Sequence, residues 1–386
     1  MKKEELFTDL EFPQRRAASM RTSPLASYVL DELPADLTAA WSRRTTYRDL
    51  ADRQSRLLHE LGPLDPLVGD LAQARVVQLD LLFMLGGYQP AGPGSAPRSL
   101  VDAVAAQCAR FPELDPHMSY ELLIDVNADE WHRNGDIRVF TQGATSRLER
   151  DFYLGHHLSE PSAQSAFNLL STMLQEPDAG EPLDVLEDVV RHLEDFRLYM
   201  AQYGRLPKDA FETFRRYHMG HPGGPRGASG AFLPSVQLLE LVLLSPTPQY
   251  ELYLDQSMAY FPVWSRPLLT ARREASRQGD NVVSMVLDGR MKLDPPALTA
   301  LLHVLDKFAD FRMVHLGVTK KTIPEAFPHT GRVTRRDIAR QAGEEDALND
   351  DHLGTSGFSV HNLLTNSVYR LLSARREIAS LDTMAG

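Results

Sequence analysis

The stretch DKFADFRMVHLGVTKKTIPE, residues 306–325, sets one histidine into a run of apolar side chains spaced by three and four residues. Residues so spaced share one face of a helix, so the stretch reads as amphipathic and helical. Upstream, Asp294 suits a helix N-cap, and Pro295 and Pro296 suit a first turn, where a missing N–H costs nothing. Leu301, Leu305, Phe308, Phe311, His315 and Val318 then line one side of a single long helix. His315 therefore faces inward among large apolar groups. Two roles are open to it: a core histidine with a satisfied hydrogen bond, or a neutral imidazole serving as axial ligand to a metal cofactor.

The same period recurs along most of the chain. TTYRDLADRQSRLLHELG (45–62), GDLAQARVVQLDLLFMLGG (69–87), SLVDAVAAQCARF (99–111) and PSAQSAFNLLSTMLQ (161–175) all carry it. In residues 182–204, Leu183, Val185, Leu186, Val189, Val190, Leu193, Phe196 and Met200 form a broad apolar stripe. AGPGSAPRS (91–99) reads as a loop. Residues 115–150 are the least regular and are expected to hold loops or short strands. Elsewhere alternating β-branched runs are scarce, and no solenoid repeat is visible. The expected class is all-α. We divide it into an N-terminal arm (1–45) with short helical pieces, a smaller helical region (46–150) with irregular connections, and a larger helical region (151–386).

Composition narrows the function. The chain has 386 residues, 43% hydrophobic and 24% charged, enough apolar material for a packed core. Its net charge of −11 disfavours nucleic acid as a partner, since phosphate binding needs clustered Lys and Arg. The single cysteine, Cys108, excludes an intrachain disulfide and a cysteine-based zinc site, and fits a reducing cytoplasm. The opening MKKEELFTDLEF lacks the apolar centre of a signal peptide, and the most apolar run, AFLPSVQLLELVLL (231–244), is too short to span a bilayer. We expect a soluble cytoplasmic protein without a membrane partner.

Two further segments place polar groups where apolar ones would be ordinary. In LPKDAFETFRRYHMGHPGGPRGASG (206–230), Phe211, Phe214, Arg215 and His218 fall on one helical face, while Arg216 points elsewhere. An arginine on an apolar face needs a partner, because an unpaired buried charge is prohibitive. That partner is either a protein carboxylate or the carboxylate of a bound substrate, which a guanidinium grips bidentately. The glycine-rich end lets backbone approach a ligand, but no Gly-Lys-Ser/Thr follows, so it is not a phosphate loop of the Walker kind. In HLGTSGFSVHNLLTNSVYRLL (352–372), a Gly-Thr-Ser-Gly turn opens an amphipathic helix carrying Val360, Leu363, Leu364, Val368 and Leu371. Thr355 or Ser356 either caps that helix or offers its hydroxyl to a ligand.

Taken in order, PKDAFETFRRY followed by GASGAFLPS, then FRMVHLGVTKKTI, then GTSGFSVHNLL resemble the indoleamine and tryptophan 2,3-dioxygenase superfamily of all-helical haem proteins. The likeness spans roughly residues 160–375, and within the superfamily it is nearest to the monodechloroaminopyrrolnitrin synthase branch. The resemblance implies a helical haem-binding fold holding haem b, iron protoporphyrin IX, with His315 as proximal ligand. It implies cofactor contacts from Ala228, Ser229 and Arg312, and a substrate carboxylate held by Arg215. Phe211 is similar to an aromatic packed on the substrate ring, and Ser229 and Gly230 to the stretch along the pocket. Thr355 and Ser356 resemble the turn over the substrate amino group. FNLLS (167–171) resembles a distal Phe-x-x-x-Ser, which sets Phe167 and Ser171 over the iron. For the distal histidine of the tryptophan branch, His156 and His157 are the available residues.

The implied activity is a haem-dependent oxygenase acting on tryptophan, a modified tryptophan or another aromatic amino acid, in bacterial secondary metabolism such as antibiotic biosynthesis. Its partners would be the amino acid, O2 or peroxide, and an electron donor to reduce the haem. One oxygen inserted, two inserted, and a rearranged product are all outcomes of this chemistry. A hydroxylase or rearrangement enzyme on a tyrosine-like amino acid, and a haem-binding sensor or carrier without catalysis, are the rival readings. A di-iron helical oxygenase is disfavoured by the absence of any Glu-x-x-His, and a serine hydrolase by the absence of a Gly-x-Ser-x-Gly elbow.

Overall fold

The computed structural model describes residues 23–64, 68–92, 94–176, 181–218, 232–322 and 365–384. Their regular structure is all helical, with no strand among them. They fall into two compact units. The first takes the chain up to His157 and gains the segment from Pro207; the second takes Leu158–Leu206 and the chain from Ala231 onward.

The first unit begins earlier than an arm would. A π-helical turn, Tyr28–Glu32, runs into α1 (Leu33–Trp41), and Leu25, Val29, Leu33 and Leu37 are buried. Residues 23–41 are thus part of the core, which corrects the expectation of an arm for this part of 1–45. Helix α2 (Tyr47–Leu61) starts at a reciprocal cap: Asp49 N–H donates to Thr46 Oγ1 at 3.1 Å, and Thr46 N–H donates to Asp49 Oδ2 at 2.9 Å. Buried Gln54 on α2 ties the unit together, donating to Tyr28 Oη (3.3 Å) and accepting from Tyr88 Oη (3.1 Å). Helix α3 (Leu71–Gly86) is buried along its second half and packs on α4 (Arg98–Arg110).

Residues 115–150 hold a π-helical turn (Glu121–Val126), α5 (Asn127–Asn134) and the start of α6 (Gly143–Gln175) rather than short strands. In the connecting residues 136–142, side chains take the place of a neighbouring strand for the backbone of Arg138, Phe140 and Thr141. Asn127 accepts from Arg138 N–H (2.8 Å) and donates to Arg138 C=O (3.0 Å). Glu149 accepts from the N–H groups of Phe140 (2.8 Å) and Thr141 (3.0 Å). The Arg138 guanidinium, itself buried, donates to Asp80 at 2.8 Å and lies 3.6 Å from Glu130. Helix α6 passes through Pro161, whose missing N–H removes the ladder bond to the His157 carbonyl, and His157 is also the last α6 residue of the first unit. Helix α8 (Lys208–His218) completes this unit.

In the second unit, α7 (Pro182–Tyr203), α13 (Pro295–Thr322) and the C-terminal helix α14 (Asn366–Met384) pack side by side. Four shorter helices fill in: α9 (Pro234–Leu243), α10 (Pro248–Ser257), α11 (Arg266–Arg277) and α12 (Val282–Leu287). Every residue of α9 is buried, as its all-round apolar pattern predicts. Among the described residues no helix is long and apolar enough to cross a membrane.

Candidate functional site

Helix α13 follows the sequence pattern through Phe311, beyond which His315 and Val318 are half-buried and Leu316 and Thr319 are buried. Asp294 caps it, accepting from Ala297 N–H at 2.9 Å, and Leu301, Leu305, Phe308 and Phe311 are buried. Phe311 meets Phe196 of α7 with ring centroids 4.5 Å apart. Ion pairs fix the helix on two sides: Lys307 donates to Glu194 of α7 at 2.9 Å, and Arg375 of α14 donates to Asp306 at 2.9 Å. Hydrogen bonds from Arg197 and Lys307 hold the Glu194 carboxyl down at about 2.

His315 follows Phe311 by one turn, with ring centroids 6.0 Å apart. Its imidazole is half-buried and Nδ1 is shielded from solvent. Among the described residues no three His, Cys, Asp or Glu side chains are grouped to hold a metal by themselves. A haem iron would ask one imidazole of the protein, its porphyrin supplying the ring ligands. A half-buried imidazole on a helix braced from both sides fits that donor requirement.

Arg312, expected from the resemblance to meet the cofactor, is paired through one guanidinium nitrogen with a carboxylate, while its Nε is shielded from solvent without a hydrogen bond to any described residue. Its guanidinium donates to Glu240 of α9, and both side chains are almost wholly buried. Glu240 also accepts from Arg370 (2.7 Å) and from Ser367 (2.9 Å), both on α14. Arg370 donates in addition to the Ser245 carbonyl (2.6 Å) and lies over the Tyr250 ring, 4.8 Å from its centroid. Arg312 lies beside both Phe308 and Phe311, 5.3 and 5.5 Å from their centroids. Two arginines on one carboxylate leave a surplus positive charge, which these π faces and the carbonyl help to stabilise. The cluster joins α9, α13 and α14 and is the frame on which His315 is carried. Sequence reading missed it, although Gln237 and Glu240 in an otherwise apolar helix were the available signal, since buried polar groups need partners.

Phe167 and Ser171 occupy the second-unit half of α6. Phe167 is buried, and Ser171 Oγ is shielded from solvent with no hydrogen bond to any described residue. A helical serine ordinarily returns its hydroxyl to the carbonyl four residues back. This one does not, so its donor and acceptor capacity is unspent.

In the first unit, α8 carries the expected face. Phe211, Phe214, Arg215 and His218 are all buried. Phe152 of α6 packs on Phe211 and Phe214 with centroids 5.8 and 5.4 Å apart. Arg216, the neighbour, turns outward and lies 3.7 Å from the centroid of half-exposed Trp41. The alternation of an inward and an outward arginine thus follows helical phase. His156, four residues beyond Phe152, is held neutral by burial, with its pKa lowered to about 4.

Below this face lies a polar network that sequence reading did not identify. Glu149 is wholly buried and accepts four hydrogen bonds: from the N–H groups of Phe140 and Thr141, from Thr141 Oγ1 (2.6 Å) and from Tyr153 Oη (2.6 Å). Tyr153 Oη is also 2.9 Å from His218 Nε2. Burial raises the Glu149 pKa to about 7, against the pull of its donors, and lowers that of His218 to about 3.

The structure thus places Arg215 and Phe211 in the first unit, and His315, Arg312, Phe167 and Ser171 in the second. Ala228, Ser229, Gly230, Thr355 and Ser356 lie outside the described residues. Compared with known protein families and with curated proteins, the chain matches none.

Proposed function

We propose that this chain binds haem b through His315 and acts as a haem-dependent oxygenase on an aromatic amino acid, tryptophan or a modified tryptophan first. The reading is carried by His315: a half-buried imidazole on a helix braced by α7 and α14, at the position the sequence resemblance gives to the proximal ligand. Two features support it. Arg215 is a buried guanidinium on a helix face otherwise made of aromatic rings, which suits an amino-acid carboxylate attached to an aromatic ring. Ser171 keeps an unspent, shielded hydroxyl four residues after buried Phe167, in the stretch that resembles the distal side.

Bound haem supplies the O2 or peroxide chemistry. The protein's share is positional. Arg215 holds the carboxylate and so fixes which ring atom is presented. The phenylalanines of α8 pack on the ring and exclude water. His315 is held in place by its helix, and Arg312 braces that helix through Glu240.

Reconstitution with haemin tests the proposal. A Soret band is expected in the wild-type chain and lost in His315→Ala. Adding tryptophan is expected to shift that band, and Arg215→Ala to abolish the shift. A band that persists in His315→Ala overturns the ligand assignment. A band that no aromatic amino acid perturbs leaves a haem carrier or sensor instead.

A further inference from the structure

Glu149, Tyr153 and His218 form an unbroken hydrogen-bonded chain inside the first unit. Its first link is 2.6 Å and its second 2.9 Å, and none of the three side chains is exposed. The phenol in the middle has one proton and two neighbours. It donates either to Glu149 or to His218, not to both. When Glu149 is ionised, Tyr153 donates to it, and His218 must donate from Nε2–H. When Glu149 is protonated, it donates to Tyr153, which then donates to a bare Nε2, so the imidazole carries its proton on Nδ1.

We infer that these three groups are a proton relay, which takes up and releases one proton at His218 Nδ1 while storing the charge on Glu149. Uptake balances as follows. A proton bonds to Nδ1, the Nε2 proton passes to Tyr153 Oη, and the phenol's own proton passes to Glu149 Oε1. No heavy-atom bond changes and no electron is transferred. The imidazole stays neutral at both ends of the cycle and only changes tautomer. The negative charge of the unloaded state rests on a carboxylate held by two backbone N–H groups and the Thr141 hydroxyl.

The surroundings suit this role. Burial places the Glu149 transition near neutrality, at about 7, and keeps His218 itself from charging there. Among the described residues, the facing titratable groups are His156 on α6, which acts on His218, and Tyr217 on α8, on which Glu149, Tyr47 and Arg216 act. Burial holds His156 neutral and pushes the Tyr217 phenol up, so neither competes for the proton. From α3 the neighbour is apolar: Phe83 stacks on Phe140 at 4.5 Å, and Phe140 stacks on Tyr217 at 4.9 Å. His218 is the last residue of α8, one turn beyond Arg215, so the relay gives that helix end an acid–base group tuned by a buried carboxylate. The inference rests on the first unit alone and stands whether or not His315 holds haem.

The test uses the full chain labelled with 15N-histidine, with His218 assigned by its loss in His218→Gln. Infrared difference spectra across pH are expected to show a protonated-carboxyl band that disappears with a midpoint of about 7 and is missing from Glu149→Gln. The His218 nitrogens are expected to exchange tautomer, Nδ1–H to Nε2–H, at the same midpoint. Tyr153→Phe removes one donor from the carboxylate, so its midpoint moves up by about one unit, and the tautomer change no longer follows it. A His218 tautomer that is constant while the carboxyl titrates overturns the relay. So does a carboxyl that titrates in the ordinary glutamate range, or a tautomer change that survives in Tyr153→Phe. Should Tyr153→Phe fail to fold, coincidence or separation of the two wild-type midpoints still decides.

Discussion

Arg312 donates its guanidinium to Glu240, a residue 72 positions earlier in the chain, and neither side chain reaches solvent. A buried pair of this kind is costly to break, because the remaining charge cannot rehydrate. Glu240→Gln strips the counter-charge from both Arg312 and Arg370. We expect it to lower unfolding free energy by about 3–5 kcal/mol, read from urea denaturation.

Arg312→Met is expected to be milder. It leaves Glu240 with Arg370 and Ser367, a balanced pair with its hydrogen bonds at 2.7 and 2.9 Å. The loss should be roughly 1.5–3 kcal/mol, the range for one hydrogen bond to a charged group. A chain reconstituted with haemin should keep its Soret band in this variant. Loss of the band from a folded Arg312→Met would return the residue to the cofactor.

The pH profile of stability should carry two opposed slopes. The Glu149 pKa rises on folding from 4.5 to about 7, so its contribution is complete below pH 4.5 and is lost as pH climbs through 7. His156 and His218 fall from 6.5 to about 4 and about 3, so theirs is complete above pH 6.5 and is lost as pH drops through those values. Thermal melts of Glu149→Gln should lose the fall in stability between pH 4.5 and about 7, worth roughly 3 kcal/mol, and keep the loss on acidification that the histidines cause.

Thr46→Ala tests the reciprocal cap of α2. It removes the hydroxyl that accepts from Asp49 N–H and donates to Asp49 Oδ2 at 2.7 Å. The expected cost is about 1 kcal/mol by denaturant titration, with little change in the slope against denaturant.

The long helices were legible because period and punctuation agree in them. Asp294, Pro295 and Pro296 open α13, and Phe308, Phe311 and Leu305 repeat on one face. Leu186, Val189, Leu193 and Phe196 do the same for α7. The first half of α6 was not legible, because Gly155 and Pro161 punctuate a helix that continues through both. Residues 25–37 read as part of an arm because charges, Pro and Ser are mixed through the longer stretch 1–45. Their four buried aliphatic residues show their worth only against distant partners. The inward placement of Arg215 follows from helical phase alone. The choice of Glu240 as the partner of Arg312 does not, since it joins residues on helices far apart in the chain. Glu149 is invisible for the same reason: three of its four donors come from Phe140 and Thr141, in a stretch without periodicity.

The Glu240 cluster also limits how this polypeptide can be shortened. Arg370 reaches back 130 positions to complete it, so the carboxylate is fully served only after the last helix has been synthesised and docked. A chain ended before Asn366 would strand part of a charged knot in oil and expose the flank of α13 that α14 covers. Helix α14 is therefore a keystone, and removing it should yield aggregates rather than a smaller working protein.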